Sequence, residues 1–250
     1  DGSRAAVFGN GFNRTEGKDG HVRASGNAVV FIVDIRTGNV IKKLDTGKGK
    51  ANDPTGNSRP NGIVGIRPVD LNGDFITDRL YAGDLFGNMW VWDLSSTNNT
   101  QWKPAYGPGT PLFTAVNANG DAQPITTAPQ VDLHPLGMGV MVYFGTGKYY
   151  GTGDLVDTST QSFYGIWDSI NKINNINPKI GAQRNDLLKQ EIITVNLTQF
   201  AGYDARIVSD YPIRWDDYTS PTNSDEVLGW YMDLPESGER VHQPPIIRNG

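Results

Sequence analysis

Apolar positions in this chain fall in short runs separated by Gly, Asn, Asp and Pro. Ala28-Val29-Val30-Phe31-Ile32-Val33 is apolar throughout, which predicts a strand buried on both faces. The turn Asp34-Ile35-Arg36-Thr37-Gly38-Asn39 follows, then a second strand over 40–44. Leu80-Tyr81-Ala82 leads through Asp84-Leu85-Phe86-Gly87-Asn88 into Met89-Trp90-Val91-Trp92, and the Gly-Asn pair in each turn supplies the positive φ of a hairpin. Gln161-Ser162-Phe163-Tyr164-Gly165-Ile166-Trp167 opens a third hairpin of the same kind. One stretch reads as helix: Asn185-Asp186-Leu187-Leu188-Lys189-Gln190, with Asn185 as its cap. It interrupts a long insertion between Ile170 and Ile193, in which residues 171–178 read as loop.

The strand units repeat. Val69-Asp70-Leu71 falls on Val131-Asp132-Leu133, Tyr81 on Tyr143 and Gly83 on Gly145, all at the offset 131 − 69 = 62. A shift of 144 − 8 = 136 places Phe8-Gly9 on Phe144-Gly145 and Gly11 on Gly147. A third offset sets Pro245 on Pro68 and Asn249-Gly250 on Asn72-Gly73. One supersecondary unit recurring about every 60 residues, built of short strands, predicts the blades of a β-propeller. The fold class is therefore all-β. Residues 1–250 belong to one propeller domain, with blade segments near 1–55, 56–118 and 119–235 and the start of another blade at 236–250. Ala5-Ala6-Val7-Phe8 matches an inner strand. Because unpaired blades would expose sheet edges, the parent protein is expected to be longer at both ends.

The stretch Asp70-Leu71-Asn72-Gly73-Asp74-Phe75-Ile76-Thr77-Asp78 carries the candidate chemistry. Oxygen-bearing side chains stand at its positions 1, 3, 5 and 9. A hard cation such as Ca2+ takes oxygen ligands in this alternation, with a backbone carbonyl at position 7. Asp70, Asn72, Asp74 and Asp78 are thus candidate side-chain ligands and Ile76 the carbonyl donor. Two positions depart from an EF-hand loop: Phe75 stands where Gly is usual, and Tyr81 where a bidentate Glu would be. The ungapped sister segment keeps Asp132 opposite Asp70 but sets His134, Leu136 and Val140 opposite Asn72, Asp74 and Asp78, so the repeat alone does not demand the acidic set.

Composition narrows the classes. A net charge of −5 gives no basic footprint for nucleic acid. The absence of cysteine excludes disulfides, thiolate metal sites and cysteine nucleophiles. No apolar run is long enough for a transmembrane helix. Gly145-Thr146-Gly147-Lys148 fails the spacing of a Walker loop and reads as a strand end with a tight turn. His21, His134 and His242 lie far apart and form no His-x-x-x-His pair. Asp154 and Asp157 are candidates for a second cation site, with turn shaping as the plainer role. Trp90, Trp92, Trp167, Trp215, Trp230 and Tyr231 alternate along strands as packing residues do. Asn98-Asn99-Thr100 and Asn196-Leu197-Thr198 match a sequon that chance produces readily.

Several motifs in one order resemble the C-terminal domain of the PilC/PilY family of type IV pilus tip proteins: Ala6-Val7-Phe8-Gly9-Asn10-Gly11, Phe31-Ile32-Val33-Asp34, Val69-Asp70-Leu71-Asn72-Gly73-Asp74 and Tyr81-Ala82-Gly83-Asp84-Leu85. Phe144-Gly145-Thr146-Gly147-Lys148-Tyr149, Tyr164-Gly165-Ile166-Trp167-Asp168, Gly229-Trp230-Tyr231-Met232-Asp233-Leu234 and Gly238-Glu239-Arg240-Val241 continue the series. The resemblance implies a quinoprotein-like β-propeller that binds calcium through Asp70, Asn72, Asp74, Ile76 and Asp78. It implies a non-enzymatic protein at the extracellular pilus tip, associated with the outer membrane. Such a protein would support pilus assembly with minor pilins, oppose retraction, and serve twitching motility and surface adhesion. Contact with a host-cell surface would fall to an N-terminal region that these residues do not include. Two other classes share the architecture: an integrin-like extracellular calcium-binding propeller, and a quinone-dependent dehydrogenase.

Overall fold

The computed structural model describes residues 4–12, 24–170, 182–196, 204–213, 215 and 228–248. Three mixed or antiparallel sheets carry the fold. The first has the order β1-β2-β3, from Ala5–Gly9, Val29–Asp34 and Val40–Asp45. The second runs β4-β5-β6-β7, from Ile63–Val69, Arg79–Asp84, Asn88–Asp93 and Lys103–Pro104, with β8 (Phe113–Thr114) also on β6. In the third, β9 (Gln130–Leu133), β10 (Val140–Gly145) and β11 (Ser162–Asp168) are followed in space by β15 (Gly229–Asp233) and then β12 (Leu188–Gln190). A separate ribbon pairs β13 (Ile192–Asn196) with β14 (Asp204–Val208). Within each sheet, successive strands up to β7, and again from β9 to β11, pair in meander order, and β4 touches both β1 and β9. These are radiating propeller blades.

The middle sheet explains the continuous apolar runs. Leu80, Ala82, Trp90 and Trp92 face a core shared with Val30, Ile32 and Leu44 of the first sheet. Tyr81, Met89 and Val91 face the opposite core, shared with Val140, Val142, Phe144 and Tyr164 of the third. Alternate residues of β5 and β6 therefore enter different cores, because successive strand side chains point to opposite faces. A sheet packed on both sides has no polar face, so its strands do not alternate.

One joint recurs between neighbouring blades. Gly9 and Gly145 end β1 and β10, and Gly83 is the last residue but one of β5. A Cβ on them would lie 2.1 Å from the Ile63 carbonyl oxygen, 2.1 Å from Ile125 Cγ2 and 2.3 Å from Val241 Cβ respectively. Each glycine thus admits the residue on which the chain enters its next segment. The residue after each glycine locks the following strand. Asn10 Oδ1 accepts the Val29 N–H at 3.0 Å, Asp84 Oδ1 the Asn88 N–H at 2.9 Å, and Thr146 Oγ1 the Ser162 N–H at 2.8 Å. The sequence offsets that superpose these glycines therefore superpose one physical contact.

Two expected elements differ. Residues 185–190 are not a helix: Arg184–Asp186 form one 3-10 turn, and Leu188–Gln190 lie parallel to β15. The short segment gains more from a ladder and from burying Leu187 and Leu188 than from a helix too short to be stable. Ser162–Asp168 does not open a hairpin with the residues that follow it. It pairs with β10 on one side and, across the insertion, with β15 on the other. The loop expected over 171–178 lies outside the described residues.

Candidate metal-binding hairpin

Residues 70–78 close the hairpin between β4 and β5, whose last ladder pair is Val69 with Arg79. Asp78 ties its neck. Its N–H donates to the Val69 carbonyl at 2.9 Å, and its Oδ2 accepts the Leu71 N–H at 2.8 Å. Within the loop each acidic or amide side chain holds the backbone ahead of it. Asp70 Oδ1 accepts the N–H groups of Asn72 and Gly73 at 3.2 and 2.7 Å, and its Oδ2 that of Phe75 at 2.7 Å. Asn72 Oδ1 accepts from Asp74 N–H, and Asp74 Oδ1 from Ile76 N–H, both at 2.8 Å. Asp and Asn at alternate positions are what such nested turns require. Partial desolvation works against ionisation of Asp70, but the amides of Phe75, Gly73 and Asn72 outweigh it and hold its carboxyl below the ordinary value.

The five expected ligand residues therefore share one exposed, curled loop. Their carboxylates are engaged with backbone amides, and no three His, Cys, Asp or Glu side chains converge into a metal-holding group among the described residues. The fit to a hard cation rests on donor chemistry and on the chain's bend. The donors are oxygen only, and Asp74 Oδ2 and Asp78 Oδ1 accept no hydrogen bond among the described residues. Phe75, at the sixth position, takes φ 67, the left-handed conformation for which such loops use Gly. Its ring is 98% exposed, so no packing offsets the strain. Phe75→Gly is therefore expected to raise stability by about 0.5–1 kcal/mol after the entropy cost of glycine. Urea midpoints of the two proteins measure this, and a lower midpoint for the glycine variant would show the bend to be unstrained.

The sister hairpin is built differently. Its ladder runs on to Leu133 paired with Val140, leaving only residues 134–139 in the loop, three fewer than 70–78. Val140 is a buried strand residue, so the ungapped comparison across the loop does not hold. His134 closes this shorter turn, accepting the Leu136 N–H on Nδ1 at 3.1 Å, and packs against Trp167 and Trp215. Burial lowers its pKa. His242 is exposed and His21 lies outside the described residues, so the histidines form no described site.

The second candidate cation position already holds a cation of the chain's own. The Arg240 guanidinium donates to the carbonyls of Lys148, Asp154 and Asp157 at 2.7, 2.8 and 2.7 Å. Asp154 meanwhile pairs with Lys148 and accepts the Tyr150 and Gly151 amides, and Asp157 accepts the Ser159 amide. The carbonyls that could have faced a metal face arginine instead. Gly145-Thr146-Gly147-Lys148 is a strand end and turn, with the Gly147 N–H donated to the Pro124 carbonyl at 2.7 Å. Trp90 and Trp92 are fully buried, and Trp230 packs on Phe163 and Tyr143, so these aromatics are packing residues. Asn98 caps a 3-10 turn through the Thr100 N–H. Sequence reasoning missed the buried Asp168, which takes Arg79 at 3.2 Å, the Tyr81 hydroxyl at 2.7 Å, the Tyr106 hydroxyl and the Ile170 N–H. No local motif marks a site assembled from two blades.

Radiating sheets of short strands keyed at a repeated glycine joint define a β-propeller domain. The chain belongs to the family described as the PilY1 beta-propeller domain, which residues 1–204 match. It is 34% identical over 261 residues to a type IV pilus biogenesis factor PilY1 homolog of Xylella fastidiosa, covering 100% of this chain and 16% of that protein. It is also 34% identical over 257 residues to the type IV pilus biogenesis factor PilY1 of Pseudomonas aeruginosa, covering 95% of this chain and 20% of that protein. The chain thus spans a fifth or less of the length of these relatives. The crystal structure of the Pseudomonas aeruginosa PilY1 C-terminal domain superposes with a TM-score of 0.71 at 31% identity, covering 94% of this chain and 48% of that one.

Proposed function

We propose that this chain is the calcium-responsive propeller of a type IV pilus biogenesis factor, acting without catalysis at the extracellular pilus tip in association with the outer membrane. Family membership supports the pilus assignment, because the relatives are named as pilus biogenesis factors. The observation that carries the calcium reading is the 70–78 hairpin, where three carboxylates and one amide stand in a curl with a left-handed sixth residue. Asp70, Asn72, Asp74 and Asp78 would hold the ion through side chains and Ile76 through its carbonyl. Calcium supplies positive charge that offsets three neighbouring carboxylates. Asp70 and Asp78 already fix the loop's neck and first turn, so binding would stiffen a loop whose path is largely set. The propeller would present this stiffened hairpin to minor pilins of the tip complex and bias the pilus toward extension over retraction, with twitching motility and surface adhesion as the outcome.

Asp74 is the sharpest test because its carboxylate anchors a single amide. Asp74→Ala should abolish calcium uptake by calorimetry while the far-ultraviolet spectrum stays that of the parent. Affinity in the parent should fall at about 10⁻⁴ to 10⁻³ M, the range of extracellular modules. Unchanged uptake in the variant would remove the hairpin from the reading. In cells, the same substitution should make pilus extension insensitive to external calcium.

A further inference from the structure

We propose that the acidic hairpin is coupled to the joint between the second and third blades through Arg79, so that a divalent ion held at 70–78 tightens the root of the blade-three insertion. The inference rests on the calcium reading above and adds its internal readout.

Asp78 closes the hairpin, and Arg79 follows it directly as the first residue of β5. Arg79 is 7% exposed and crosses to the neighbouring blade. Its Nη1 reaches Asp168 Oδ2 at 3.2 Å and its Nη2 the Ile170 carbonyl at 2.9 Å. Asp168 is the last residue of β11 and fully buried, and the insertion starts just beyond it. Its carboxylate is shared with Tyr81, Tyr106 and the Ile170 N–H, the last at 2.9 Å. Ile170 sits at φ 62, a left-handed position that its β-branched side chain disfavours. The bend is held by the Asp168 carboxylate on one side and Arg79 on the other.

A second connection runs through packing. Val69, the residue before the hairpin, and Ile170 both pack against the same core between the two blades. A change in the hairpin's order therefore bears on the joint from both of its strands: through Val69 on β4 and through Arg79 on β5. A guanidinium is suited to this task. Its planar fork can hold a carboxylate and a carbonyl at once, whereas an ammonium makes a point contact.

The Ile170 amide is a built-in reporter, because its hydrogen bond ends on Asp168. Hydrogen exchange at that amide and at those of the 70–78 loop is followed on the full chain with calcium chloride or magnesium chloride, beside calorimetry of the same samples. Calcium should slow exchange several-fold at both places. Arg79→Lys keeps the charge and gives up the fork. It should leave calcium uptake and hairpin protection intact while abolishing the response at Ile170. Tyr106→Phe removes one hydrogen bond to Asp168 with the Arg79 fork kept, and should preserve the response if Arg79→Lys proves poorly folded. Uptake with protection confined to 70–78 overturns the coupling alone. No uptake overturns the calcium reading and the coupling with it. A full Ile170 response in a folded Arg79→Lys protein, or its loss in Tyr106→Phe, removes Arg79 as the connection.

Discussion

Gly9→Ala should be among the most destabilising small substitutions in this protein, costing about 3 kcal/mol or more, at and beyond the upper end of ordinary overpacking. The new methyl would stand 2.1 Å from the Ile63 carbonyl oxygen and 2.6 Å from its carbon. Both are backbone atoms of β4, so no rotamer change relieves the clash. The first blade must move off the second, which opens the core that Val30, Ile32 and Leu44 share with Trp90 and Trp92. Gly11→Ala is the matched control. Gly11 takes φ 62 and has nothing within 4 Å of its notional Cβ, so its loss is the backbone term of about 1–2 kcal/mol. Denaturant titration of both variants should separate them clearly. Equal losses would mean that the seam between blades accommodates the methyl and that close approach is not what keeps glycine at position 9.

Asp84→Ala should cost about 3–5 kcal/mol, the scale of leaving several buried donors unsatisfied at once. Asp84 is fully buried and takes five donors. The N–H groups of Phe86 and Asn88 reach Oδ1, both at 2.9 Å. Asn61 Nδ2, Asn88 Nδ2 and Trp90 Nε1 reach Oδ2 at 2.8, 2.9 and 2.7 Å. Burial raises this carboxyl above its ordinary value, against the pull of those donors. Alanine takes this acceptor from all five inside a packed turn; Asn61 Nδ2 keeps the Lys48 carbonyl at 3.3 Å, and each buried donor left stranded costs about 1–3 kcal/mol before relaxation. Asp84→Asn should recover only part of this, because its carbonyl oxygen can still accept while its NH2, a donor, would face donors in place of the second carboxylate oxygen. The equivalent Thr146→Ala loses fewer contacts and should cost about 1 kcal/mol. Thermal and urea unfolding of the three variants give the ranking, and a Thr146→Ala loss matching that of Asp84→Ala would show that the joint is not graded by its hydrogen bonds.

The strands and their repetition were legible because burial on two faces leaves a plain trace. Met89-Trp90-Val91-Trp92 can be apolar at every position only where both sides are packed. The glycine joints were legible as offsets, although their physical content, the close approach of a neighbouring Ile63, Ile125 or Val241 that leaves no room for a Cβ, was not. Residues 185–190 misled because Asn185 and the helix formers after it describe local preference, while a parallel ladder with β15 is a long-range fact. The nested turns of 70–78 were readable from the alternation of Asp and Asn, because Asp70, Asn72 and Asp74 each bond the chain two residues ahead. The Asp168 joint was not, since Arg79 and Asp168 stand 89 residues apart and no local pattern links the two.

Arg240 has a consequence for how the two acidic turns would age and respond. A guanidinium supplied covalently cannot be diluted, exchanged or stripped by a chelator, so the corner around Asp154 and Asp157 keeps its shape whatever the surrounding fluid contains. The same propeller thus carries one bend that is self-sufficient and, on the calcium reading proposed above, another whose order would follow the ions around it.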